Sequence, residues 1–285
     1  MKKKTIKRWV FLLIGMALLI YFFYFQNNSI VTSEYSISSN KIPDHFNGYK
    51  IVQLSDLHSK SFGKDQSDLV NIVKKSEADL ILFTGDLIDS KRYDEKSSLI
   101  LMKKLVEVAP VYYVIGNHEW WSGKLNALED QLKDIGVQVM RNTSKEITIE
   151  NDKIQMIGID DPAIGKETEG VRIKIEENIV KSIEKIKEED DYQVLLSHRP
   201  EQLSLYSEYG FDVVFSGHAH GGQFRIPCLG GLIAPDQGIF PKYTSGKYQL
   251  DHTTMIVNRG LGNSIIPIRV FNRPEIVVVT LKTVQ

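Results

Sequence analysis

Five short segments of this chain carry residues that can do chemistry together. They read Ser55-Asp56-Leu57-His58, Gly85-Asp86-Leu87-Ile88-Asp89, Gly116-Asn117-His118-Glu119, His198-Arg199-Pro200 and Gly217-His218-Ala219-His220-Gly221-Gly222. Five of the seven histidines fall in them, so imidazole is concentrated where carboxylate is. Asp and His offer hard oxygen and borderline nitrogen to a first-row divalent metal, and a lone cysteine, Cys228, excludes a thiolate cluster. An Asp-x-His or His-x-His pair can aim two side chains at one ion, and a carboxylate set between two ions can bridge them. Two ions about 3.5–4 Å apart can share a hydroxide and clamp a phosphate for in-line displacement. Any one of these segments alone reads more simply as a turn; five in order do not.

Chemistry of this kind needs the segments at one place, and the elements before them supply it. Ile51–Leu54, Leu80–Thr84, Val111–Ile115, Val194–Ser197 and Val213–Ser216 are short apolar runs that read as strands, each ending at one of the five segments. Ligands in open α/β sheets bind beyond the carboxyl ends of strands. Asp68–Glu77, Glu95–Val108, Lys124–Ile135 and Glu176–Glu189 read as helices. Further strands are expected near Glu34–Ser39, Glu146–Glu150, Lys153–Ile159, Thr254–Asn258 and Ile276–Leu281. The pattern is α/β in its first half and richer in β later, an α/β (α+β) class. The glycines of the segments suit tight turns where loops crowd an ion.

The 285 residues divide unevenly in charge. Lys2, Lys3, Lys4, Lys7 and Arg8 against Glu34 give residues 1–40 a charge of +4, so the rest carries −5 of the total −1. The net charge gives no reason to expect nucleic acid as a partner. Trp9 to Phe25 is free of charge, about 25 Å long as a helix, and flanked by Trp9, Tyr21 and Tyr24 as interfacial residues. Five cations precede this span and none follows before Lys41, so residues 1–8 are expected in the cytoplasm, 9–26 across the cell membrane as a single-pass signal-anchor, and the body outside. A cleaved signal is the alternative, but no Ala-x-Ala-like site follows. Residues 27–47 read as a linker and first strand, and 48–285 as the catalytic domain.

In motif and order the chain resembles the calcineurin-like metallophosphoesterases, whose pattern is Asp-x-His, Gly-Asp-x-x-Asp, Gly-Asn-His-Glu/Asp, a lone His, then Gly-His-x-His. The likeness covers roughly residues 48–282. The span, with Asn258-Arg259-Gly260-Leu261-Gly262 and Ile268-Arg269-Val270-Phe271, is similar to the membrane-associated bacterial phosphodiesterase branch that includes UDP-2,3-diacylglucosamine-cleaving enzymes. The resemblance implies a two-sheet β-sandwich flanked by helices, with the site at one edge and preceded here by one transmembrane helix. It implies two divalent ions, Mn²⁺ first, with Fe, Zn or Co as alternatives. Asp56, His58, Asp86 and His220 would hold one; Asp86, Asn117, His198 and His218 the other, with Asp86 bridging. His118 would stand near the leaving group as general acid, or stabilise charge in the transition state, and Asp89 would accept its other ring N–H. Asn117 could also give its amide to phosphate. Protein Ser/Thr phosphatases of the superfamily carry Arg after Gly-Asp-x-x-Asp and lack His-x-His; here Ser90-Lys91 follows and His218/His220 are present, which favours small or lipid-linked phosphoesters.

Other residues are weaker candidates. Arg199 could contact substrate phosphate, while Arg259, Arg269 and Arg273 read as solvated or salt-bridged. Trp120 and Trp121 suit either a cleft or the core. Asp160-Asp161-Pro162 reads as a turn. The Gly- and Pro-rich stretch Phe224–Tyr248 suits a surface loop, a lid or a wall facing the bilayer. His45 and His252 read as surface residues and Cys228 as inert. The intact motif favours a phosphoesterase cleaving a phosphodiester or pyrophosphate by in-line attack of a metal-bound hydroxide, over a metal-holding membrane scaffold or a protein-tethering module. No protein partner is evident.

Overall fold

The computed structural model describes residues 2–165, 170–186, 191–263 and 266–284. In chain order, helix α1 (Lys2–Asn28) leads into β1 (Val31–Ser39), β2 (Lys50–Leu54), α2 (Ser67–Lys75), β3 (Leu80–Thr84), α3 (Glu95–Leu105) and β4 (Val111–Val114). Then come α4 (Asn117–Trp121), α5 (Leu125–Ile135), β5 (Gln138–Val139), β6 (Thr143–Ile149), β7 (Asp152–Gly158), α6 (Val171–Ile183), β8 (Tyr192–Leu196), α7 (Leu203–Glu208) and β9 (Val213–Ser216). Two short hairpins follow, β10 (Arg225–Ile226) with β11 (Gly230–Gly231) and β12 (Ile233–Ala234) with β13 (Gly238–Ile239); β14 (Gly246–Leu250), β15 (Thr253–Val257) and β16 (Glu275–Thr283) complete the chain.

Two six-stranded mixed sheets stack face to face, in the orders β1-β16-β2-β3-β4-β5 and β14-β15-β9-β8-β7-β6. The apolar runs of the sequence alternate between two buried faces, which is why they read as continuous. Ile51, Leu82, Val277 and Val279 of the first sheet meet Val194, Val213, Phe215 and Ile256 of the second in the central layer. Their neighbours face outward: Val52, Leu54 and Phe83 under Leu69, Leu101 and Leu128 of α2, α3 and α5, and Leu195 and Val214 under Ile175, Ile179 and Tyr206 of α6 and α7. The result is the two-sheet sandwich flanked by helices that the resemblance implied.

Three differences from the sequence reading have structural reasons. Residues 27–47, read as a linker and first strand near Glu34–Ser39, hold a longer strand: it begins at Val31, with two residues between it and the end of α1 at Asn28, and all nine of its residues pair in parallel with β16 in the first sheet. The fourth helix begins at Val171, after Gly170, and the expected residues beyond 186 up to Glu189 lie outside the described residues. The stretch Phe224–Tyr248, read as a surface loop, a lid or a wall, carries two short hairpins and then enters β14 at Gly246.

Across the two sheets β2, β3, β4, β8, β9 and β15 end at one edge. Beneath that edge, buried Gln53 donates through Nε2 to Thr84 Oγ1 (3.0 Å) and to Ser216 O of the opposite sheet (2.9 Å), while Asn258 Nδ2 donates to Gln53 O (3.0 Å). Helix α1 differs from everything else: Thr5–Asn28 is long and apolar enough to cross a membrane, with only 6% of its most apolar window buried. Among the described residues, its protein contacts are confined to its carboxyl-terminal part, where Phe22, Phe25 and Asn27 meet residues of the folded unit.

Phe215 sits at the centre of the inter-sheet layer. Its replacement by Ala should lower stability by about 3–5 kcal/mol, read from denaturant unfolding of the detergent-solubilised chain; an unchanged midpoint would mean that the layer is loosely packed.

Candidate metal centre

The residues at the strand ends adopt an uncommon backbone. Asp56 (φ 51°), His58 (49°), Asp86 (53°), His218 (64°) and His220 (47°) are all left-handed. Such a conformation costs a residue with a side chain about 1–2 kcal/mol, and it clusters at functional sites. It is held by main-chain bonds between neighbouring loops: Asp56 N–H donates to Gly85 O (2.9 Å) and His58 N–H to Asp86 O (3.0 Å). Two glycines let the loops approach. A Cβ on Gly85 (φ 95°) would lie 2.5 Å from His198 Nδ1, and one on Gly217 would lie 1.9 Å from Ser55 Oγ.

The buried donors form two groups. In the first, His58 Nε2 lies 3.1 Å from His220 Nε2 and 3.6 Å from Asp86 Oδ2, and His220 Nε2 lies 3.4 Å from Asp56 Oδ1. In the second, His198 Nε2 lies 3.2 Å from His218 Nδ1 and 3.3 Å from Asp86 Oδ2. Asp86 Oδ2 therefore faces both groups, while its Oδ1 accepts the His118 N–H (2.9 Å). Ligands about 2.0–2.2 Å from a common ion stand about 3.0–3.5 Å apart, which is the spacing seen. Asn117 Oδ1, buried, has no hydrogen-bond partner among the described residues.

Hydrogen bonds set which nitrogen is free. The Nδ1 of His198 faces the Thr84 carbonyl (2.7 Å) and carries a proton there, so Nε2 is the nitrogen turned to the site. The Nε2 of His218 lies 2.9 Å from both Asp236 Oδ2, an acceptor, and Arg199 Nη1, a donor, while Nδ1 is turned to His198 and the donor group. Burial works against charge on His198, but Asp86 and its hydrogen bond outweigh it and push the imidazole up to about 10. Burial pushes His58 down to about 3 and His218 down to about 4, so both are neutral. Burial raises the Asp56 carboxyl to about 6. The donors at hand, four imidazoles that can be neutral, two carboxylates and an amide oxygen, fit a pair of divalent first-row ions.

Beside the donors, His118 Nδ1 accepts from the Ser90 N–H (3.0 Å), which leaves the His118 proton on Nε2. The ring position expected to donate to Asp89 is thus met by a main-chain donor. Asp89 builds the turn that presents it, accepting from Lys91 N (2.9 Å), Arg92 N (2.8 Å) and Arg92 Nη2 (2.7 Å). A cleft of about 350 Å³ opens here, bordered by His118, Arg92, Trp121 and Pro267. Trp121 is 5.4 Å from the His118 ring and exposed, so it belongs to the cleft and not to the core.

Arg199 is not free to meet substrate. It is buried, donates through Nε (2.6 Å) and Nη2 (3.0 Å) to both oxygens of Asp161, and also pairs with Asp236. Asp161 is accordingly more than a turn residue. Arg269 is buried too, donating to the carbonyls of Arg259 (3.0 Å) and Gly262 (2.5 Å), where a solvated or paired residue was expected. Sequence reasoning gave no role to Glu119, whose carboxylate accepts N–H bonds from Gly116 (2.7 Å), Asp86 (2.9 Å) and Ile88 (3.1 Å) and so ties two ligand loops together. Its place inside the Gly-Asn-His-Glu segment was the available signal. Asp236 lay in a stretch without periodicity and had none.

Comparison with known proteins agrees with this geometry. Residues 49–222 match the family model described as calcineurin-like phosphoesterase. The chain is 32% identical to the metallophosphoesterase YkuE of Bacillus subtilis (strain 168), over 91% of this chain and 88% of that protein. It is 27% identical to the phosphodiesterase YaeI of Escherichia coli (strain K12), over 82% of each. The crystal structure of the phosphopantetheinyl hydrolase PptH from Mycobacterium tuberculosis shares the fold, with a TM-score of 0.51 at 11% identity, over 76% of this chain and 91% of that one.

Loading with Mn²⁺ at pH 7 should expel about one proton per chain, from His198, because an ion takes the lone pair that the proton holds. Affinity should weaken as the pH falls through about 6, where Asp56 takes up a proton. Calorimetry in buffers of different ionisation enthalpy checks both; heats independent of buffer would mean that His198 is already neutral before the ion binds. Asp236→Asn should weaken binding of one ion about 10–100-fold, read by titrating metal content.

Proposed function

From the premise that this chain belongs to the calcineurin-like phosphoesterase family and is a metal-dependent phosphoester hydrolase, we propose a membrane-anchored phosphodiesterase that cleaves a phosphodiester or pyrophosphate bond. The observation that carries the assignment of residues is Asp86, with one oxygen facing both donor groups. Asp56, His58, Asp86 and His220 hold one ion; Asp86, Asn117, His198 and His218 hold the second. Divalent ions in these places supply charge neutralisation and an ionisable water to the reaction. The O/N donor set suits Mn²⁺, with Fe, Zn and Co next.

The remaining steps belong to the chain. Asn117, with its oxygen toward the second ion, can turn its NH₂ to a phosphate oxygen. His118 stands at the cleft mouth with its proton on Nε2, where it can donate a hydrogen bond to the departing ester oxygen and stabilise the charge that develops there; the Ser90 N–H on Nδ1 fixes the ring. The bond from the His118 main-chain N–H to Asp86 Oδ1 holds this donor in register with the bridging carboxylate. Trp121 and Pro267 form an apolar wall around the leaving group.

The membrane part rests on α1 and its charge pattern. We read α1 as an uncleaved single-pass anchor with its basic end in the cytoplasm and the sandwich, from Val31 onward, on the other side. A lipid-linked phosphoester, of which a UDP-2,3-diacylglucosamine pyrophosphatase-type substrate is one form, fits a site held at a membrane; its nucleotide-linked form conflicts with the outward orientation.

His118→Asn should lower turnover of diesters with a poor leaving group about 10²–10⁴-fold while metal content stays near two per chain. Bis-p-nitrophenyl phosphate should be affected least, because its leaving group needs little stabilisation. Asp86→Asn should lose both metal and activity, and chelation followed by Mn²⁺ return should remove and restore turnover. A fully loaded, active Asp86→Asn enzyme would refute the bridging assignment.

A further inference from the structure

The topology puts the end of α1 and the metal edge at the same end of the sandwich. Strand β1 begins at Val31, paired with Glu275, and runs parallel to β16; β16 runs antiparallel to β2, with Val277 opposite Gln53. Val31 is therefore level with the carboxyl end of β2, where Asp56 begins the site. Only Ser29 and Ile30 separate it from the helix.

One loop then joins the helix, the cleft and the metal edge. At its start, Leu261 N–H donates to Ser55 O (3.0 Å) and Gly262 N–H to Asp56 O (2.6 Å). In its middle, Asn263 donates to Asn27 Oδ1 of α1 (2.8 Å) and accepts from Arg92 at the cleft (2.7 Å), and Pro267 borders the cleft itself. At its end, the Phe271 ring packs edge-on against Phe22 of α1 at 5.8 Å, and Arg273 lies over Phe25 while donating to Ser29 Oγ (2.6 Å). Phe22 stands about 9 Å along the helix from Asn28, so Phe271 touches the apolar span itself.

Phe271 is also the nearest member of a row of exposed apolar side chains. It shares a surface hollow of about 530 Å³ with Ile226 and Leu229 of the β10–β11 hairpin, which is bridged to it through Phe224 and Val270. The next hairpin hangs from the first, with Leu232 N–H on Phe224 O (2.8 Å) and Phe240 N–H on Leu232 O (2.9 Å). Leu229 is 70% exposed, Ile239 71% and Phe240 63%. Single exposed apolar residues are ordinary, but a contiguous row continuous with an apolar helix marks a surface that meets something apolar.

We infer that the bilayer is that partner: the two hairpin tips and Phe271 enter the membrane interface beside α1, and the catalytic edge of the sandwich lies against the lipid surface. Arg273 and Lys60, both bonded at the end of α1, then stand at headgroup level. The cleft at His118 is one loop away from the same level, so its substrate class is an amphipathic phosphoester resident in the membrane, with its phosphate among the headgroups. This inference rests on the reading of α1 as an anchor.

Cys228, exposed in the β10–β11 turn, is the one cysteine and a ready reporter. The full chain, labelled there with an environment-sensitive dye, is placed in vesicles of phosphatidylethanolamine and phosphatidylglycerol, with and without acyl-brominated lipid. Cys228→Ser combined with Glu150→Cys moves the dye to the β6–β7 turn, at the opposite end of the sandwich. The expected result is blue-shifted, bromine-quenched emission at Cys228 and neither effect at position 150, with a paramagnetic relaxation probe on Cys228 giving the same depth order. Vesicle-bound protein with an unquenched dye at both positions would overturn the seating and leave the anchor. Equal quenching at both positions would overturn it as well. Protein that fails to float with vesicles would instead overturn the anchor.

Discussion

Two carboxylates and four imidazoles, all taken out of water at one edge of a β-sandwich, are the constraint around which the rest of this protein is built. Asp56, Asp86, His58, His198, His218 and His220 are each no more than 4% exposed. Carboxylates so placed are costly unless a cation or several N–H donors compensate them. The N–H donors of neighbouring loops do part of this, and a pair of divalent ions held by these side chains would supply the charge that they cannot. The five left-handed residues among the donors make the same point in the backbone: such strain persists only where neighbours over-determine it.

What over-determines it is a set of polar side chains packed around the donors, of which Asp236 alone is exposed. Gln53 and Asn258 tie the two sheets together directly under the site, and Glu119 ties the loops after β3 and β4. Asp161 holds Arg199, and Arg199 and Asp236 together flank His218. The amide donors of Gln53 and Asn258 and the carboxylates of Glu119 and Asp161 are engaged with neighbouring loops, which stiffens the network. The hairpin stretch that carries Asp236 thus has two faces, one turned to a histidine of the site and one bearing exposed apolar side chains.

The loop from Asn258 to Arg273 gives these parts a common frame. Arg269, buried within it, donates to several of the loop's own carbonyls and holds its shape. Asn272 donates to His220 O (2.7 Å) and so carries that shape to the site. The same loop reaches the end of α1. Displacing the helix would therefore be felt at the cleft through a short, continuous path of hydrogen bonds and ring contacts.

How much of this was legible depended on whether the information was local. The sequence by itself determined the donor types, their order and their position after apolar runs, because a strand and the turn that follows it are encoded within a dozen residues. The apolar span was equally legible, since an uncharged apolar run is read from local composition alone. Only the tertiary structure decided that one oxygen of Asp86 faces both donor groups, that Ser90 rather than Asp89 meets His118 Nδ1, and that Asp161 occupies Arg199. It alone put the end of α1 at the metal edge. These outcomes depend on pairings such as Val31 with Glu275 and Gln53 with Ser216. The register of such pairings is fixed by packing between segments far apart in the chain, and no local periodicity records it.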